Sequence, residues 1–444
     1  MERPIHRIVD LIDDDAQNIL DMSVAEARAR FLDERPEALL AVRGSFALAT
    51  QDGETVLMAR SLDRPMRYFL AKEAEGPMLV IAERIDEIKQ ELEARGYVDQ
   101  FHPSYTRMVP AHHVTALRLI GCPDPNPCHR RFFAPPRATM GTDLGVIGHA
   151  YVEALHREVT QWLQKQDDDE PLGVLFSGGT DSGAVLVSLY HALLKSGRSP
   201  SRLKAFTLAV DGGGHDVEQA RAFLRRLDLE MLLEVIEVAS GDLDPFEAIE
   251  VIEDYKPLDV ECATVGLALL RGIRSRYPEW RLLLDGDGGD ENLKDYPLEE
   301  NGELTIRSVV SNSMLYQEGW GVGAIKHSLT YSGGFSRACV RTYAPARRLG
   351  FSGLSPFTRP SVVRVAEAIP FDELTYGSTD KLYALKGEAV KRGMCSLFGV
   401  DFPVFEKRRF QHGAVDEAVF RGRFVIPPQQ YRAHFYSLYG EVPR

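Results

Sequence analysis

The sequence predicts an α/β protein organised around a doubly wound parallel sheet, and three stretches carry that expectation. The first is the apolar run Leu172 to Phe176, which ends in Ser177-Gly178-Gly179-Thr180-Asp181-Ser182 and passes into helical spacing at Val185, Leu186, Leu189 and Leu193. A short apolar run closed by glycines reads as a buried strand, and the three-four spacing after it reads as a helix. The second is the alternation that follows: strand-like Leu203 to Val210 and Met231 to Val238, interleaved with helical patterns ending near Leu227 and Tyr277. The third is Leu282-Leu283-Leu284, running into Asp285-Gly286-Asp287-Gly288-Gly289-Asp290-Glu291. Strands alternating with helices give a parallel sheet whose ligands sit beyond the strand C-terminal ends.

Residues 1 to about 40 are acidic and read as helices, with Ile8, Leu11, Ile12, Ala25, Ala27 and Phe31 on inner faces. From Ala41 the pattern changes to short strands, with a hairpin turning at Asp52-Gly53. Met78 to Ala82 reads as a strand, Ile85 to Ala94 as a helix, and Met108 to Leu119 as one or two further strands. The proline-rich stretch Cys122 to Pro136 reads as a connection, and Gly145 to Lys165 as a helix. In Asp211-Gly-Gly-Gly-His215-Asp216, a turn is expected with Asp216 as the helix N-cap. The chain after Glu291 reads as mostly helical.

A length of 444 residues exceeds one typical core, so two domains are expected: an α+β unit over residues 1–140 and an α/β unit over 141–444. Hydrophobic content of 44% and charged content of 26% are those of a soluble globular chain. No run of about eighteen apolar residues suggests a membrane span, and the first residues lack an apolar signal core, so a cytoplasmic location is expected. A net charge of −13 argues against a nucleic-acid partner. The five cysteines include no C-x-x-C pair, so no zinc site or disulfide framework is indicated.

Two stretches carry chemistry. Strand, glycine turn and helix N-terminus around Ser177 to Ser182 form an anion site, because unpaired N–H groups and the helix dipole favour phosphate. The loop Asp285 to Glu291 concentrates carboxylates and glycines, a costly arrangement unless a cation compensates the charge. Ser177-Gly178-Gly179-Thr180-Asp181-Ser182 resembles the pyrophosphate-binding loop of the N-type ATP pyrophosphatases, the asparagine synthetase family in particular, and lacks the Gly-Lys-Ser/Thr of a Walker A loop. The second loop resembles that family's other signature. Gly44-Ser-Phe-Ala-Leu-Ala, Leu57-Met-Ala-Arg60-Ser-Leu-Asp63-Arg64-Pro65 and Leu79-Val-Ile-Ala-Glu83 are similar to the middle of its glutaminase domain.

The resemblance implies an adenine nucleotide α-hydrolase type of sheet with C-terminal helices, preceded by a glutaminase-like β-sandwich of the Ntn type. It implies ATP and Mg2+ as cofactors, with Ser177, Gly178, Gly179, Asp181 and Ser182 on the pyrophosphate. Thr207, Leu208, Asp285 and Gly286 are placed near the nucleotide, and Asp181 and Asp290 on magnesium. Asp287 falls where asparagine synthetases carry an acid acting on the attacking amine, and where β-lactam synthetases have a tyrosine. Glu406-Lys407-Arg408-Arg409-Phe410-Gln411-His412-Gly413 resembles the segment whose lysine steadies the adenylate, by position Lys407. Thr379-Asp-Lys381-Leu-Tyr-Ala-Leu-Lys386 resembles the Lys-x-x-Leu-Arg helix and supplies Lys386 as a further catalytic candidate.

The departures are equally specific. A glutaminase of this family uses a cysteine directly after the initiator methionine; here Glu2 stands there and the first cysteine is Cys122. The N-terminal unit is therefore expected to be a degenerate scaffold without glutaminase activity. Asn292-Leu-Lys-Asp-Tyr-Pro replaces the usual Leu-Phe-Gly-Gly-Tyr, which argues against aspartate, the standard substrate; separately, Arg359 stands where the Pro-Phe-Leu-Asp segment has its acid. The implied reaction is adenylation of a small-molecule carboxylic acid, releasing pyrophosphate, followed by acyl transfer to ammonia or an amine. Ring closure to a lactam, RNA thiolation and a nucleotide-binding pseudoenzyme are the competing readings. Relatives are often homodimers.

Overall fold

The computed structural model of the chain describes residues 7–33, 35–73, 76–119, 126–295, 298, 305–311, 339–405 and 413–440. The chain opens with β1 (Arg7–Asp10), a short pair β2 (Asn18–Ile19) and β3 (Gly44–Ser45), and then β4 (Ala47–Asp52) and β5 (Thr55–Arg60). β6 (Arg67–Glu73), β7 (Gly76–Ala82), β8 (Arg107–Met108), β9 (His113–Arg118) and β10 (Cys128–Arg131) follow. They form two four-stranded sheets, ordered β1-β7-β6-β8 and β10-β9-β5-β4. Period-two alternation decides what each face meets. Tyr68, Leu79 and Ile81 of one sheet and Ala47, Val56, Met58 and Leu117 of the other share a single buried cluster. The sheets thus face each other as a sandwich. The opposite faces, carrying Phe69, Val80 and Ala82 on one side and Leu57 and Ala59 on the other, pack against helices.

The expected helices at the start of the chain are corrected here. Arg7–Asp10 is a strand paired in parallel with Met78 to Ile81, and the described helix in this region is confined to Val24–Ala29 with short 3-10 turns. An open edge of β7 gives this segment backbone partners that no local spacing reveals. The Ser23 cap, with Glu26 bonding back to it, starts the one α-helix that does form there.

The second assembly is a five-stranded, wholly parallel sheet ordered β13-β12-β11-β14-β15. Its strands are β11 (Leu172–Leu175), β12 (Leu203–Val210), β13 (Leu233–Val238), β14 (Leu282–Leu284) and β15 (Ser352–Leu354). Both faces are covered: Leu203 and Ala205 of β12 enter one core with Tyr151, Leu155 and Val185, while Phe206, Leu208 and Val210 enter another with Ile236, Val265 and Leu269. Burial on both faces explains why the inner strands β12, β11 and β14 read as apolar runs. The chain winds outward from β11 through β12 to β13, then returns to lay β14 on the other side of β11. The strand order reverses between β11 and β14, the position where ligands bind in open parallel sheets.

Sandwich and parallel sheet are joined by buried contacts. Phe69, Val80 and Ile85 share a core with Ile249, Val260, Tyr431 and Phe435. Buried Glu253, which ends the Pro245–Ile252 helix in a left-handed conformation, accepts hydrogen bonds from the Ile85 and Asp86 amides (2.8–2.9 Å) and the Tyr439 hydroxyl (3.0 Å). The carboxylate caps the Ile85–Ala94 helix with a negative charge at its positive end. Arg359, which stands where the resembled Pro-Phe-Leu-Asp segment has its acid, ion-pairs with Asp63 and donates to the Gly44 carbonyl. Among the described residues no helix is long and apolar enough to cross a membrane.

Candidate active site

Two loops leave the C-terminal ends of neighbouring strands β11 and β14 and meet at the reversal of strand order. After β11, Gly178 turns the chain with φ +74°, and a Cβ there would lie 2.6 Å from the Ala220 amide nitrogen. Both the left-handed backbone and the close approach of the His215–Arg226 helix therefore demand glycine. Gly179 then begins the Thr180–Lys195 helix without a side-chain cap, leaving Asp181 in the first turn. The contacts of the Ser177 amide to Ser182 Oγ and of the Gly179 amide to Ser177 Oγ are long, at 3.4 Å. Such a terminus keeps N–H groups directed at an incoming anion. The His215–Arg226 helix is capped at Gly214, not at Asp216 as the sequence suggested; Asp216 lies inside the first turn and is buried.

The second loop is pressed onto the first. A Cβ on Gly286 would come within 2.8 Å of the Ser182 amide nitrogen, and one on Gly289 within 2.2 Å of the Asp181 carboxylate. The glycines in the acidic loop thus let two acidic segments interleave, which spacing alone does not disclose. Asp181 and Asp290 converge on one point occupied by the Lys386 ammonium, which ion-pairs with both; Asp295 Oδ2 lies 3.5 Å from the same nitrogen. Burial would strip Lys386 of its proton, but the Asp181, Asp290 and Asp295 carboxylates override it and hold its pKa well above the usual lysine value.

Asp287 faces a different set of groups. Thr342 Oγ1 donates to its Oδ2 (2.7 Å), and the Arg341 guanidinium, which bonds Glu291 at 3.1 Å, acts on it electrostatically. Burial still pushes the Asp287 carboxyl upward against that cation. Burial, reinforced by the Asp287 charge, pushes Asp285 up further, although the Ser355 hydroxyl (2.9 Å) and the Asp287 amide (3.0 Å) both donate to it. Asp285, Thr342 and Tyr343 line one wall of a cleft whose other wall comes from the sandwich, with Ala16, Asn18 and Arg64.

Thr207 and Leu208 lie on β12 just past the end of its pairing with β11, both buried. Thr207 Oγ1 donates to the Phe176 carbonyl (2.7 Å) and Leu208 enters the apolar core, so a ligand there would meet backbone rather than these side chains. Lys407 lies outside the described residues. Sequence reasoning missed Asp295, Arg341 and Thr342. Asp295 reaches Lys386 only because the chain turns at Lys294 with φ +56°, in the segment that departs from Leu-Phe-Gly-Gly-Tyr. Lysine does not favour that backbone conformation, so the sequence carries no local signal for the turn.

The donors fit a hard divalent cation. Among the described residues no three His, Cys, Asp or Glu side chains form a ready metal site. Magnesium characteristically takes one or two carboxylates and completes its shell with water and substrate phosphate, which suits Asp181 and Asp290 beside an anion-binding helix terminus.

Fold and loops together define the class: an α/β protein with a glycine loop, a helix N-terminus and an acidic loop gathered where the order of its parallel strands reverses. Residues 154–321 match the family model for asparagine synthase, and this stretch includes both loops. The chain carries a domain of the asparagine synthetase family, ATP-dependent ligases that form amide bonds. The match ends before Lys386 and leaves out the sandwich. Among curated proteins, none matches the chain.

Proposed function

We propose that the chain is an AMP-forming carbon–nitrogen ligase that adenylates a small-molecule carboxylic acid and passes the acyl group to ammonia or an amine. The observation that carries this reading is the convergence of Asp181 and Asp290, from two loops of the family-matched segment, on a single buried point. In this reading the Ser177–Ser182 loop and the uncapped helix terminus hold the pyrophosphate moiety of ATP. Magnesium, held by Asp181 and Asp290, would screen the phosphate charges as the substrate carboxylate attacks the α-phosphate. Pyrophosphate leaves, and an amine then displaces AMP from the acyl-adenylate. Asp287 faces the arriving amine and takes its proton, oriented by Thr342 and Arg341. Lys407 steadies the adenylate and the developing oxyanion. The cleft between sandwich and sheet reaches Asp285, two positions from Asp287, and in this reading it is the side from which the acid or the amine approaches.

The sandwich is read as a glutaminase-like Ntn fold (residues 1–140) and the remainder (141–444) as a synthetase unit of the adenine nucleotide α-hydrolase type. Glu2 stands where glutaminases of this family carry their nucleophilic cysteine, and Cys128, the described cysteine of the sandwich, is exposed on the edge strand β10. The nitrogen donor is therefore ammonia or an amine, not glutamine.

The test is pyrophosphate release from Mg-ATP against a panel of carboxylic acids, with and without ammonium. Acid-dependent release supports the reading, and the product mass separates simple amide, amine conjugate and lactam. Silence across the panel with ATP bound would favour a nucleotide-binding pseudoenzyme. A smaller change tests the loop packing: Gly289→Ala places a methyl against the Asp181 carboxylate and is expected to weaken Mg-ATP binding at least about tenfold, roughly the 1.4 kcal/mol of a modest steric shift. Unchanged affinity in a nucleotide titration would refute that packing argument.

A further inference from the structure

Lys386 sits in an unusual place for a lysine meant to touch substrate. Its ammonium already ion-pairs with Asp181 and Asp290 and lies 3.5 Å from Asp295. Its backbone cannot withdraw. The Thr379–Phe398 helix that carries it crosses the Leu144–Leu163 helix at Gly393 and Gly148, so closely that a Cβ on Gly393 would lie 2.1 Å from the Gly148 carbonyl oxygen. Only the flexible side-chain stem can move.

Charge makes the arrangement specific. Two carboxylates from separate loops repel each other unless a cation lies between them. Asp181, Asp290 and Asp295 together carry three negative charges, which the single Lys386 ammonium balances only in part and a divalent cation in its place would balance further. The lysine nitrogen is where both intended magnesium ligands already point.

We propose that Lys386 stands in for the divalent cation. It holds Asp181 and Asp290 together before nucleotide arrives, then releases them to magnesium as its ammonium shifts onto the incoming phosphate oxygens. The inference rests on the magnesium–nucleotide part of the ligase reading of this site, not on its acyl transfer. It makes Lys386 a competitor of bare metal and a partner of metal-bound nucleotide, so one substitution should move the two affinities in opposite directions.

The experiment measures Mn2+ binding without nucleotide by electron paramagnetic resonance, and binding of the Mg2+ complex of α,β-methylene-ATP by calorimetry. The full-length wild type, Lys386→Met and Lys386→Arg are compared. Lys386→Met is expected to bind Mn2+ alone at least about tenfold more tightly than wild type, and the magnesium-nucleotide complex about tenfold more weakly. Lys386→Arg should keep the weak bare-metal binding of wild type. Folded Lys386→Met with unchanged or weaker Mn2+ binding overturns the proposal, since a purely structural ion pair predicts that result. If Lys386→Met does not fold, the wild type decides: Mn2+ should bind weakly alone and far more tightly with the nucleotide analogue, and tight binding alone overturns the idea. The crossover without acid-dependent pyrophosphate release would leave this inference standing and remove the ligase reading; the reverse pattern would do the opposite.

Discussion

Asp181→Asn and Asp290→Asn are each expected to lower acid-dependent pyrophosphate release at least about 100-fold, the scale of losing one electrostatic contact made to charge in the transition state. Asparagine keeps the shape of aspartate, removes its charge and exchanges one acceptor oxygen for an amide donor. In either variant Lys386 retains the other carboxylate and Asp295, so the lysine is not left buried without a counter-charge. The loss should therefore appear in turnover with little change in melting temperature. The double variant should be little worse than either single one, because residues that act through one centre do not contribute additively. A single variant that keeps activity within tenfold of wild type would show that these carboxylates do not hold the metal on which the chemistry depends.

Removal of Arg359 is expected to be the most destabilising single change. Arg359 and Asp63 are both buried, and the guanidinium also donates to the Gly44 carbonyl and to Thr358 Oγ1 (2.8 Å). Arg359→Met leaves the Asp63 carboxylate in the interior without its partner, at a cost of about 3–5 kcal/mol. Replacing both, as Asp63→Leu with Arg359→Met, should recover much of that loss, because a well-packed apolar pair needs no counter-charge. The pair also sets an acid limit on stability. Burial alone would raise the Asp63 pKa, but the Arg359 guanidinium overrides it and holds the carboxyl below the ordinary value of 3.8. A depressed folded-state pKa gives stability that is present above the unfolded value and lost as pH falls through the folded one. Wild type should therefore lose stability from about pH 4 downward, and Asp63→Leu/Arg359→Met should lose less over that interval in melts taken at stepped pH. Equal acid sensitivity of the two proteins would remove the pair from that role.

The parallel sheet and both loops were legible because their causes are local. Burial on both faces writes strands such as Leu203–Val210 as continuous apolar runs, and a left-handed turn against a helix leaves glycine at Gly178. The anion-binding helix terminus and the acidic loop followed from the same local chemistry, and the family match covers both. Tertiary structure decided what depends on partners distant in sequence. Arg7–Asp10 became a strand because β7 offers an edge, overriding a helical pattern too short to sustain itself. Arg359 reads as a lost acid in isolation and becomes intelligible only when it meets Asp63, almost three hundred positions earlier, in the interior between sandwich and sheet. The placement of Lys386 between two aspartates has the same origin: three segments must pack before their charges can choose one another, and no spacing in the sequence records that choice.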